Sequence, residues 1–136
     1  MTPPVNIRFD DEHVWGSAGT RGGNRPETEL ILHGPRKPIR VWALIDSGAD
    51  FMQLDLALAT AVGLQPTMRG TRQTVSIASG GVSVMWHLAG VDITVEGNRV
   101  TVDGYFAAGV PSLLGRTAIV RAMSFGLRSA GWLYKI

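Results

Sequence analysis

The chain has 136 residues, of which 45% are apolar and 18% charged, and a net charge of +2. That length suits one domain with a modest core, and that apolar content excludes disorder of the whole chain. The cationic residues are scattered without a nucleic-acid-binding run, cysteine is absent and with it any disulfide or thiolate metal site, and no apolar run is long enough to span a membrane.

The 17 glycines and 7 prolines, set between short apolar runs, predict short strands and many turns. Residues 1–27 read as an N-terminal segment with a short strand over Val5 to Phe9 and a flexible Gly-rich stretch from Gly16 to Pro26. MTPPVNIRFDDEHVW lacks the apolar centre of a signal peptide, so the chain reads as soluble, with the cytoplasm as the default location and no membrane contact.

Residues 28–136 are expected to form the domain. TELILHG reads as a strand, GPRKP as a turn and IRVWALID as a second strand, the two making a hairpin. Val41, Ala43 and Ile45 alternate with Trp42 and Leu44, which predicts a central strand buried on both faces. Asp55 suits the cap of a helix of about two turns over LALATAV, ended at Gly63. QTVSIASGGVSVMW reads as a hairpin with a Gly-rich tip. LAGVDITVEGNRVTVDGYFA supplies two or three strands, with the turn expected at Gly97-Asn98. PSLLG is a short strand, RTAIVRAM a short helix, and SFGLR and WLYKI the last strands. The elements sum to a mostly β, antiparallel barrel or sandwich with two short helices.

The chemistry centres on residues 43–50, ALIDSGAD. A carboxylate closing a strand that reads as buried needs a partner or a task, because an unpaired buried charge is costly. Asp-Ser-Gly alone is a common turn. Leu44-Ile45-Asp46-Ser47-Gly48-Ala49, however, resembles the active-site motif of aspartic proteases, and a single copy in a short chain is similar to the retroviral type, the retropepsins. Leu113-Leu114-Gly115-Arg116 followed by a helix resembles the second motif of that family. SIASGGVSV between them is similar to its flap, and Leu54 to Leu64 to a run in bacterial members.

The resemblance implies a closed barrel of antiparallel strands with a flap hairpin, two short helices and one half-site per chain. It implies an aspartic endopeptidase acting on extended peptides without metal or organic cofactor. Asp46 is the expected catalytic residue, with Ser47, Gly48 and Ala49 in the active-site loop and Asp50 paired with Arg116 beside it. Ile77, Ser79, Gly80, Gly81 and Val82 are expected in the flap, and Val110, Pro111 and Leu113 against substrate. Two carboxylates sharing one proton form the dyad of such enzymes. With one Asp-Ser-Gly per chain, activity is expected to require a homodimer, with WLYKI pairing across the interface. A non-catalytic dimeric peptide-binding or scaffolding module on the same fold is the alternative. A small basic nucleic-acid-binding barrel is a weaker third. His13, His33 and His87 lack metal-ligand spacing.

Overall fold

A computed structural model describes residues 13–15, 27–76, 80–122, 124–128 and 131–135. The expected strand at Val5 to Phe9 and the stretch Gly16 to Pro26 lie outside them.

Ten strands and three short helices occur among the described residues. They are β1 (His13–Trp15), β2 (Glu27–Leu32), β3 (Ile39–Ile45), β4 (Met52–Asp55), α1 (Leu56–Ala61), α2 (Pro66–Arg69) and β5 (Thr71–Ser76). There follow β6 (Val82–Val95), β7 (Asn98–Ala107), β8 (Leu113–Leu114), α3 (Arg116–Ala122), β9 (Ser124–Arg128) and β10 (Gly131–Lys135).

Six strands close on themselves in the order β2-β3-β8-β4-β7-β6, with β6 returning to β2 through Leu30↔Val95. β5 extends the sheet beyond β6. The alternation read from the sequence fills this barrel: Leu30 and Leu32, Val41, Ala43 and Ile45, Val91, Ile93 and Val95, and Val102 and Phe106 all point inward. Closure leaves these six strands paired with one another, so the chain is the closed β barrel with short helices that the sequence implied.

Two of the pairings are parallel, β3 with β8 and β4 with β7. They matter most for the site, because Leu44↔Leu113 and Ile45↔Leu114 set the end of β3 beside the end of β8.

The caps follow local chemistry. The Asp55 carboxylate accepts from Ala57 N–H at 2.8 Å, and α1 is followed by Gly63 at φ +82°. β6 and β7 join through Glu96 and Gly97, at φ +48° and +83°, a two-residue turn that suits the strand twist. The turn therefore lies one residue before the expected Gly97-Asn98, and Asn98 already pairs with Val95. Glu96 tolerates this backbone with its carboxylate bonded to the buried Thr28 hydroxyl.

Other expectations need correction. β3 is buried on one face only: Trp42 is 40% exposed. β4, α2 and β1 were not foreseen. β6 runs unbroken for 14 residues, past a bulge at Ala89 and Gly90. β9 and β10 match SFGLR and WLYKI, but β10 is the middle strand of a sheet ordered β1-β10-β9. Both its sides are paired within the chain, and among the described residues β1 and β9 are the outer strands of this sheet.

Candidate active site

The loop after β3 is built by hydrogen bonds that its own sequence supplies. Asp46 N–H donates to Leu114 O at 2.9 Å, continuing the parallel ladder for one residue. The Asp46 carboxylate turns back and its Oδ1 accepts from Gly48 N–H at 2.9 Å. Ala49 N–H donates to Asp46 O at 3.2 Å. These bonds orient the carboxylate at the tip of the strand, where Asp46 is half-buried and Ser47 and Gly48 are exposed.

α3 locks the same loop from the other side. The first N–H groups of a helix have no partner within it. Here Arg116 N–H donates to Ala49 O at 2.8 Å and Thr117 N–H to Asp50 O at 3.1 Å, with the Thr117 hydroxyl also donating to Asp50 O at 2.8 Å. The Arg116 guanidinium pairs with the Asp50 carboxylate. Gly115 makes the crossing feasible, because a Cβ there would lie 2.5 to 2.7 Å from the backbone O, N and C of Phe51. The two sequence motifs are thus one structural unit.

Beside this unit lies a cavity of about 300 Å³ bordered by Ala49, Asp50, Phe51, Gln53, Gln73, Val75, Met85, Tyr105 and Leu113. Leu113 was expected against substrate. Val110 and Pro111 do not border the cavity, but Pro111 O accepts from the Gln53 side chain at 3.0 Å. Gln73, Val75 and Met85 come from the paired strands β5 and β6. Gly80, at φ +85°, Gly81 and Val82 precede or begin β6, and Val82 is 66% exposed. Ile77 and Ser79 lie outside the described residues. A larger cavity of about 530 Å³, near α1 and α2, shares no residue with the Asp46 loop or with Leu113 to Arg116, so its size does not make it the site.

Phe51 follows the Asp50 of the motif, where the sequence points to an apolar subsite; Gln53, Gln73, Val75, Met85 and Tyr105 were not singled out from the sequence. Only their alternation out of the barrel core was available there, on β4, β5, β6 and β7. No local pattern told that these strands would converge.

Asp55 and Asp92 serve the framework. Asp55 also accepts from Gly109 N–H at 2.8 Å. Asp92 accepts from the Thr101 hydroxyl at 2.7 Å and from Arg99 at 3.2 Å, and these two bonds hold its pKa below the usual carboxylate value. Asp46 forms no ion pair among the described residues, and no cluster there has the makings of a metal site. No described helix is long and apolar enough to cross a membrane.

A family model described as aspartyl protease matches residues 31–118, from β2 to the start of α3. No curated protein matches the chain.

Proposed function

The chain belongs to the aspartyl protease family, of retropepsin-like type, and from that premise we propose that it is an endopeptidase whose catalytic dyad forms from Asp46 of two chains. The observation that carries this reading is the Asp46 loop itself: a strand-end carboxylate, oriented by backbone bonds and free of any cation partner among the described residues. Asp50, Asp55, Asp92 and Asp103 have structural partners instead. Among the described residues one chain therefore supplies one such aspartate, and a two-fold axis supplies the second.

Two copies of Asp46 that approach closely share one proton, since both cannot ionise at short range. The ionised carboxylate takes a proton from a bound water as that water attacks the scissile carbonyl. The protonated one donates to the carbonyl oxygen. This is general acid–base hydrolysis with no covalent enzyme intermediate and no cofactor. The dyad titrates as a unit, which favours acidic to near-neutral pH.

The β5–β6 hairpin closes over an extended peptide, offering backbone groups at Gly80 and Gly81. The cavity beside it receives a large side chain against Phe51, Met85, Tyr105 and Leu113. Ser47 reaches across the interface at the floor of the site. The test compares the wild-type protein with Asp46→Asn on a peptide library from pH 4 to 7. Cleavage by the wild type alone is expected. Equal cleavage by both contradicts the proposal, and binding without cleavage by either makes the chain a peptide-binding module.

A further inference from the structure

One row of side chains runs across four strands beside the cavity: Gln53 on β4, Tyr105 on β7, His87 on β6 and Thr71 on β5 are successive register partners. Gln53 and Tyr105 border the cavity, whereas His87 stands behind them. The His87 ring stacks on Tyr105, with centroids 5.1 Å apart and planes 27° apart. Phe51 packs at a tilt against both, at 5.2 Å from Tyr105 and 6.3 Å from His87.

His87 Nε2 is buried and makes no hydrogen bond. The nearest charge is Asp103 Oδ2 at 3.2 Å, outside the direction a ring N–H would need. Asp103 lies opposite the two-residue bulge of β6, where the ladder between Leu88 and Val91 is interrupted. That break leaves its carboxylate room to lie diagonally against the ring.

We infer that His87 and Asp103 form a charge-dependent positioning pair that sets the Phe51–Tyr105 wall of the cavity and makes substrate affinity depend on pH. The inference rests on the protease reading for its substrate. A protonated His87 sets an imidazolium against the Asp103 carboxylate and over the face of Tyr105, two attractions that hold the ring and the wall leaning on it. A neutral His87 keeps a buried ring nitrogen without a hydrogen bond, so the stack is held by packing alone. Among the described residues no other charge pairs with His87. From β7 the groups beside the ring are Asp103 and Tyr105, while Arg99, further along the strand, is paired with Asp92. From β5 the row neighbour is Thr71, with Arg72 projecting from the opposite face. The loop contributes Phe51, and α2, packed on β6, ends at Arg69. Histidine changes charge between about pH 5 and 8, so the wall tightens on the acidic side, where a shared-proton dyad also works.

The test measures KM and kcat for a peptide with a large apolar side chain from pH 5 to 7.5. Wild-type KM is expected to rise about five-fold over that range, the size of a modest coupling. In His87→Phe, which keeps a ring in the stack, and in Asp103→Asn, the rise is expected to disappear, with kcat keeping the pH profile of the dyad. A KM profile unchanged in both variants overturns the inference. A second readout needs no catalysis. In aromatic NMR spectra of the free protein, Phe51 and Tyr105 signals should move with the His87 titration and cease to follow it in Asp103→Asn. Signals that ignore the His87 titration overturn the inference even if the protein is an active protease, whereas intact coupling in a protein that cleaves nothing tells against the protease reading instead.

Discussion

Arg116 pairs with Asp50 across 66 residues of sequence, tying the first residue of α3 to the loop that carries Asp46. Both side chains are about 60% exposed, at 61% and 62%. An exposed pair contributes only about 0–1 kcal/mol to stability. The backbone bonds from Arg116 and Thr117 to Ala49 and Asp50 remain in a side-chain variant. Arg116→Ala is therefore expected to lower stability by about 1 kcal/mol or less. It should lower kcat/KM about ten-fold or more, since small displacements of catalytic groups cost rate steeply. Urea unfolding beside steady-state kinetics separates the two effects. A loss of stability as large as the loss of activity would mean that the pair serves the fold and not the loop.

Gly115 is where a Cβ cannot be accommodated. Phe51 backbone atoms would stand 2.5 to 2.7 Å from it, and backbone does not step aside as a side-chain tip does. Gly115→Ala is expected to cost about 3 kcal/mol, the upper end for overpacking a filled site. Gly97→Ala meets open space but keeps φ at +83°, so about 1 kcal/mol is expected from backbone strain alone. Denaturation midpoints of the two variants should preserve that order.

Asp92 gives stability a specific pH dependence. Its hydrogen bonds to Thr101 and Arg99 lower its pKa from 3.8 in the folded chain. A lowered folded-state value means a contribution fully present above the unfolded value and lost as pH falls through the folded one. Asp92→Asn should therefore lower the urea midpoint at pH 7. The gap to wild type should narrow below about pH 4. A gap that stays constant down to pH 2 would show that the Asp92 charge contributes nothing.

Legibility in the sequence followed the range of the interaction. The Asp55 cap, the Gly63 helix end and the alternating inward residues of β2 and β3 were readable because each depends on neighbours a few residues away. The joining of Asp50 to Arg116 came from a pair of motifs with a family resemblance, and no spacing rule contained it. β4 escaped notice because four residues of alternation run straight into a helix cap. Trp42 misled because an apolar residue on each side of a strand resembles double burial, although surfaces carry large apolar residues too. The turn was displaced by one residue because Asn98 suits a turn as well as Gly97 does. Glu96 is an unusual residue at positive φ, and its Thr28 partner is 68 residues away. The cavity residues Gln53, Gln73, Met85 and Tyr105 come together only through strand pairings that local periodicity does not specify.

The central claim is that two copies of Asp46 make one site, and subunit mixing tests it most directly. Adding Asp46→Asn protein to a fixed amount of wild type, with time for chains to exchange, forms mixed dimers with one carboxylate and no shared proton. Activity per wild-type chain is expected to fall to about half at equal concentrations and towards zero with excess variant, as random pairing of two-fold dimers requires. Wild-type activity unchanged by a large excess of the exchanged variant would contradict the account and assign the chemistry to a single chain.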